Sequence, residues 1–281
     1  MITSEDVIAY YDSKTESILR KYGPGPRVHF HGGLIEPDMV PAPTTEGLRQ
    51  QLIQSQEDLL HEAAHFWSAE QYLSGTILDV GCGIGGGSIF WAQEYGACVF
   101  AITNVPRHVK LVARFAAQAG VAGQVIPILG DACAIPGDQV FDAAVAIDVS
   151  CHLDREAWFH HLALRVRPGG RVFIGDSFAQ REDVREPFDR YWVTRIGTLD
   201  EYRSASAAAG FRLDKMLDLT TRTARFWEFS VLYSRRLLDA GVVKREEEVQ
   251  RLQRSIHWQS LFLRAWTDGG IVAALLSFVR S

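Results

Sequence analysis

The sequence predicts an α/β fold, a doubly wound and mostly parallel seven-stranded sheet with an N-terminal helical arm and a helical lid insertion. Three observations predict it. Short apolar runs alternate with helical patterns from Thr76 onward, the rhythm of βαβ units in a parallel sheet. The first of these runs ends in an acid and a glycine cluster, Asp79-Val80-Gly81-Cys82-Gly83-Ile84-Gly85-Gly86-Gly87. A strand that turns sharply into a helix while its backbone approaches a nucleotide needs such residues. The chain has 281 residues, 47% apolar and 22% charged, enough for one large core with an appendage.

The elements follow in order. Val7, Ile8, Tyr11, Ile18 and Leu19 give residues 1–24 a helical pattern that stops at Gly23-Pro24-Gly25-Pro26, where proline and glycine open a loop. Residues 27–43 read as irregular around His29-Phe30-His31-Gly32-Gly33. Thr44-Thr45-Glu46 starts a long helix that runs to about Leu73. Strands are expected at 76–80, 98–102, 125–129, 141–147 and 171–175, with helices at 88–95, 106–119 and 156–166 between them. A helix over 199–210 and a strand over 215–219 extend the series. Residues 221–269 are too long for a loop and read as a helical lid. Its Lys244-Arg245-Glu246-Glu247-Glu248 run fits a solvated helix face. Ile271–Val279 closes the sheet as an antiparallel edge. The expected divisions are an arm and cap over 1–73, a cofactor-binding core over 74–220, a lid over 221–268 and a closing strand over 269–281.

A formal net charge of −5 argues against a surface that tracks phosphates, so no nucleic acid partner is expected. No apolar run reaches the roughly 18 residues of a membrane span, and the acidic start lacks the order of a signal peptide. Cys82, Cys98, Cys133 and Cys151 are scattered and read as reduced thiols of a cytoplasmic protein, with no metal expected. The Pro/Gly hinge after the arm makes residues 1–24 a candidate for exchange within a homo-oligomer.

The glycine loop discriminates among nucleotides. A dinucleotide site expects an acid about 20 residues on, where Thr103-Asn104 stand. A phosphate loop of the Walker kind requires Gly-Lys-Ser/Thr, which is absent. Asp79 would repel a pyrophosphate, whereas its carboxylate suits the ammonium of a cationic amino-acid ligand.

Asp79-Val80-Gly81-Cys82-Gly83 resembles the first motif of the class I S-adenosylmethionine-dependent methyltransferases. Gly130-Asp131-Ala132 and Arg167-Pro168-Gly169-Gly170 are similar to later motifs of that family, and together they cover roughly residues 76–176. The resemblance implies a Rossmann-like methyltransferase core with S-adenosylmethionine as cofactor. It implies that Asp79, Gly81, Cys82 and Gly83 hold the methionine part and that Asp131 and Ala132 take the adenine. Thr103 and Asn104 would lie by the ribose, where many relatives carry an acid. His108 and Asp148 complete the implied cofactor contacts.

The fourth strand ends in Asp148-Val149-Ser150-Cys151-His152, and ligands of open parallel sheets sit beyond the carboxyl ends of strands. Asp148 or His152 then serves as proton acceptor or cation-stabilising group. Alternatively, His152 caps the next helix and Asp148 bonds the methionine amine. Tyr10-Tyr11-Asp12 and His29–Gly33 resemble the N-terminal regions of sterol, tocopherol and glycoside methyltransferases. Leu217–Thr220, Phe226-Trp227-Glu228 and Gly269–Ser281 are similar to geranyl diphosphate C-methyltransferases and to the teleocidin-type prenyl-indole enzymes. In the prenyl enzymes the acid matching Asp148 is usually Glu.

The resemblance implies methyl transfer to carbon of a prenyl or terpenoid alkene through a cation, with cyclisation as a sequel. O- or N-methylation of a small hydrophobic metabolite is the alternative. A nicotinamide oxidoreductase and a binding-only protein are the other classes weighed. Tyr10, Tyr11, His31, Tyr191, Trp192, Phe226 and Trp227 are the expected substrate contacts, although aromatics at helical spacing also build cores. Glu228, inside an aromatic run, is expected to be catalytic, because a buried carboxylate is costly unless it works or is paired. No aspartate-rich diphosphate motif is present, so a magnesium-diphosphate substrate is not expected. His61-Glu62-Ala63-Ala64-His65 matches a zinc-protease pattern, but without a continuation it reads as structural helix.

Overall fold

The structure, a computed structural model, describes residues 2–281; Met1, the first residue of the arm, lies outside the described residues. The strands are β1 (Thr76–Val80), β2 (Cys98–Thr103), β3 (Val125–Leu129), β4 (Phe141–Ile147), β5 (Val166–Ala179), β6 (Phe211–Asp218) and β7 (Ile271–Arg280). The helices are α1 (Ser4–Tyr22), α2 (Thr45–Trp67), α3 (Ala69–Tyr72), α4 (Gly86–Tyr95), α5 (Pro106–Gln118), α6 (Arg155–Arg165), α7 (Arg185–Trp192), α8 (Leu199–Ala208), α9 (Thr220–Asp239) and α10 (Glu246–Thr267). The strands form one sheet in the order β3-β2-β1-β4-β5-β7-β6. The first five run parallel, and β7 is antiparallel to both its neighbours.

Alternation along the strands splits the core into two layers. Ile77, Ala143, Val145 and Phe173 face a layer made with α2, α4 and α5. Leu78, Ala144, Ala146 and Ile174 face the other, made with α6 and α8. Strands covered on both faces read as unbroken apolar runs, which is why β1 and β4 were legible in the sequence. The chain leaves β1 toward β2 and β3 and returns to β4 on the other side. This reversal opens a crevice at the carboxyl ends of β1 and β4.

Three expectations need correction. The closing strand is not an edge, because β7 lies between β5 and β6. Its Ala274-Leu275-Leu276 run is buried, as an inner strand requires. The edge is β6, longer than expected, whose Arg212, Asp214, Lys215 and Asp218 suit an exposed strand. Second, β5 extends four residues past Gly175, since β7 pairs with it as far as Ala179. Third, residues 185–192 form α7, whose proline near the helix start hid it. Among the described residues, no helix is long and apolar enough to cross a membrane.

A third apolar cluster, with Phe188, Ile196, Phe262 and Trp266, joins α7 to the α9–α10 pair. The irregular segment after α1 is held down by polar contacts to α2. Glu57 accepts from His29 at 2.8 Å and pairs with Arg27. The Gln56 amide donates to the His31 carbonyl at 2.7 Å.

Candidate active site

A groove of about 380 Å³ runs along the carboxyl ends of β1 to β4. Asp79, near the end of β1, is buried and accepts one hydrogen bond, from Ser88 Oγ at 2.5 Å. With so little to replace water, burial pushes its carboxyl up to about 7. The glycine loop then turns on two left-handed residues, Gly81 (φ 60°) and Gly83 (φ 54°). A Cβ at Gly81 would overlap the Val149 side chain, whereas one at Gly83 would meet only open space. The Cys82 N–H donates to the Ile102 carbonyl at 2.9 Å, tying the loop to β2.

Thr103, Asn104, His108, Asp131 and Ala132 line the same groove. The Asp131 carboxylate is oriented by the Cys133 N–H at 2.8 Å. His108 lies 2.9 Å from Thr15 Oγ1, whose proton goes to the Tyr11 carbonyl. The Nε2 atom is therefore the donor, and the buried Nδ1 carries a lone pair without a partner. Burial holds this ring neutral, down at about 4. Ile2, Thr3, Ser4 and Val7 of the arm form the groove's outer wall.

A second cavity, of about 500 Å³, lies under α1, α7, α9 and α10. Tyr10, Tyr191, Trp192, Phe226 and Trp227 line it. Its aromatic wall is continuous: Tyr191 meets Trp192 at 4.7 Å, Trp192 meets Trp227 at 5.3 Å, and Trp227 stacks on Trp266 at 5.5 Å.

The two cavities share Tyr11, Ile18, Phe30, His31, Asp148 and His152. His152 Nδ1 lies 2.9 Å from the Val193 carbonyl, which can only accept. The ring proton thus sits on Nδ1, and Nε2 accepts from the Tyr11 hydroxyl at 2.8 Å. Val193 reaches this position in a left-handed conformation, φ 58°, costly for a β-branched residue. By the same reasoning His31 donates from Nδ1 to the Gly32 carbonyl at 2.6 Å. Burial beside His29 pushes His31 down to about 3, so it is neutral.

Asp148 follows β4 at φ 48° and accepts the Gly32 N–H at 2.6 Å. Ile147 and Gly175 are paired in register, so the next residues, Asp148 and Asp176, emerge side by side. Asp176 accepts from Ser150 Oγ at 2.6 Å, Ser177 N at 2.8 Å and Cys151 N at 3.0 Å. With three donors against one, Asp176 keeps the negative charge. Burial, reinforced by that charge, pushes Asp148 up to about 7. Asp176, Phe30 and Ile18 were missed in the sequence. For Asp176 the signal was available, as the acid directly after the strand expected over 171–175.

Glu228 is the expectation that the geometry overturns. It is 48% exposed, pairs with Arg225, and reaches neither cavity. Helical period explains this: Phe226, Phe229 and Tyr233 face inward at i, i+3 and i+7, which turns Glu228 outward. The zinc-protease look-alike is structural too. Glu62 pairs with Arg222 at 2.7 Å, and His61 packs against the Phe90 ring.

Comparison with known proteins decides what this groove belongs to. The methyltransferase domain family matches residues 77–170, the stretch from β1 to the turn inside β5. A 2-methyl-6-phytyl-1,4-hydroquinone methyltransferase of Synechocystis sp. is 31% identical over 193 residues, 68% of this chain and 56% of that protein. The chain carries an S-adenosylmethionine-dependent methyltransferase domain. It spans little more than half the length of that relative. A geranyl diphosphate methyltransferase, solved with GPP and sinefungin, shares the methyltransferase fold at a TM-score of 0.84, covering 99% of both chains at 19% identity. The geranyl diphosphate C-methyltransferase of Streptomyces coelicolor A3(2) gives 0.78 at 16% identity, covering 99% of this chain and 97% of that one. The methyltransferase groove fits S-adenosylmethionine in its acceptors and its space: a buried carboxylate with one partner for an ammonium, a bare His108 lone pair, and open space at Gly83.

Proposed function

We propose that the chain transfers a methyl group from S-adenosylmethionine to an alkene carbon of a prenyl or terpenoid-like small molecule. The shared wall carries this reading: a groove of methyltransferase type and an aromatic cavity have Tyr11, Phe30, His31, Asp148 and His152 in common. In the groove, Asp79 takes the ammonium, Gly81, Cys82 and Gly83 border the methionine chain, Thr103 and Asn104 the ribose, and Asp131 with Ala132 the adenine. When bound, the cofactor supplies an electrophilic methyl on a sulfonium.

The chain's own residues do the rest. The arm closes the groove and keeps water from the reacting carbon. Trp192, Trp227 and Tyr191 present ring faces, which attract positive charge as it develops on the alkene. The Asp148–Asp176 pair adds a fixed negative charge beside the wall. Tyr11 and His152 form a proton path: His152 Nε2 takes the phenol proton as the phenol oxygen takes one from the substrate. Neutral His31 leaves no competing cation there.

Incubation with deuteromethyl-labelled cofactor and a panel of prenylated metabolites, each beside its saturated analogue, tests this. The expected product carries the label on an alkene carbon, and the saturated analogues stay inert. Label on oxygen or nitrogen would replace this reading with heteroatom transfer to the same class of molecule.

A further inference from the structure

Cations of α1 and α10 line the aromatic cavity. Lys14 and Lys21 of α1 and Arg251 of α10 line it. None of the three makes an ion pair among the described residues. The carboxylates nearby are already committed. Glu248 is held by Arg20 at 2.8 Å and Arg245 at 2.7 Å, and Glu46 by Arg49 at 2.9 Å.

Lys21 is the most telling of them. Its Nζ donates to Ser230 Oγ at 2.8 Å, and that hydroxyl donates onward to Gln259 Oε1 at 3.1 Å. The ammonium lies 4.9 Å from the Tyr22 ring centre and 5.4 Å from that of Tyr233. One of its three protons is used, which leaves two for a ligand. Burial draws it down to about 7, the mark of a desolvated charge lacking a counter-ion. Lys14 is lowered as well, by burial and by the like charges of Arg251 and Arg254. A desolvated ammonium without a counter-ion is unfavourable unless a ligand supplies one.

Spacing gives Lys21 a function. Tyr11, Lys14, Ile18 and Lys21 lie on one stripe of α1 and all line the cavity. At the helical rise, Lys21 stands about 15 Å along α1 from Tyr11. A molecule with its alkene at the shared wall therefore lays its other end against Lys21.

We infer that the substrate bears an acidic head group, a carboxylate or a phosphate, held by Lys21 at the end of the cavity remote from methyl transfer. This rests on the reading that the aromatic cavity holds the substrate. It makes the cavity directional, since the acidic pair Asp148 and Asp176 at the other end repels the head group. The alkene, rather than the head, is thereby presented to the groove.

Calorimetry on the protein loaded with S-adenosylhomocysteine tests it with geraniol, geranic acid and geranyl phosphate as probes. Wild type is expected to bind one of the two acids at least tenfold more tightly than the alcohol, and the tighter acid identifies the head. Lys21→Met should bring that acid to the alcohol's affinity while leaving the alcohol unchanged. Lys21→Gln, a polar replacement, should do the same and serves if the first variant misfolds, as loss of S-adenosylhomocysteine binding would reveal. Equal affinities for alcohol and acids in wild type, or a preference untouched by both variants, would overturn the inference. Binding of the cofactor product with none of the probes would instead defeat the cavity reading beneath it.

Discussion

The hydroxyl of Tyr11 meets His152 Nε2 at 2.8 Å across 141 residues of sequence. It joins the N-terminal arm to the end of β4 at the one place where both cavities meet. The bond ties arm closure to the readiness of a proton acceptor, because the ring's other nitrogen is locked on the Val193 carbonyl. Tyr11→Phe and His152→Ala are expected to lower kcat about 100-fold or more, the range for loss of a positioned acid or base. Affinity for S-adenosylhomocysteine should change less than about threefold, since neither side chain is assigned to the cofactor. A rise in KM with kcat intact would remove the proton path from the mechanism.

Two buried carboxyls should govern the pH response. Asp79 and Asp148 are each pushed up to about 7 in the fold, from about 3.9 in an unfolded chain. Their folded forms hold protons that the unfolded chain has released, so their contribution is complete below the unfolded value and fades as pH rises through about 7. Thermal melting of the cofactor-free protein should fall between about pH 5 and about pH 8, and Asp79→Asn should flatten that fall. Cofactor affinity should run the opposite way, because an ammonium needs the ionised carboxylate. It is expected to weaken about tenfold per unit below pH 7. An unchanged pH slope in Asp79→Asn would locate the effect elsewhere.

What the sequence made legible follows from range. The glycine loop, the strand ends and the buried parallel strands depend on neighbours within a few residues, and patterning exposed them. Asp79, Gly81, Gly83, Thr103 and Asp131 reach one groove because each lies at or just beyond the carboxyl end of a strand of the same sheet. The Tyr11–His152 and Lys21–Ser230 contacts cross from the arm to distant elements, where no local pattern constrains them. The Asp148–Asp176 pair needed only the knowledge that β4 and β5 are neighbours. Glu228 misled for a different reason: a run of aromatics looked like a buried segment, whereas a turn of 100° per residue puts one member outside.

That outward position makes Glu228 a useful control. Glu228→Gln is expected to alter kcat less than about twofold and stability by about 0.5 kcal/mol at most, the scale of an exposed ion pair. Phe226, two residues earlier and 1% exposed, should behave otherwise. Phe226→Ala should cost about 3–5 kcal/mol in urea unfolding and weaken substrate affinity. Equal effects from the two variants would mean that α9 presents a different face to the cavity.

Gly81 and Gly83 share a left-handed backbone but face different surroundings, so alanine should separate folding from binding. At Gly81 the new methyl strikes Val149, adding overlap to φ strain. Each of these effects costs about 1–3 kcal/mol, and Gly81→Ala should lower the melting temperature sharply. Val149→Ala in the same chain should restore part of it by clearing the overlap. Gly83 has no heavy atom within 4 Å of that position, so Gly83→Ala carries only the backbone strain. Its methyl projects where the glycine loop borders the groove, and S-adenosylhomocysteine affinity should fall at least tenfold in a protein that still folds. Normal cofactor binding by Gly83→Ala would mean that the ligand does not pass close over this loop.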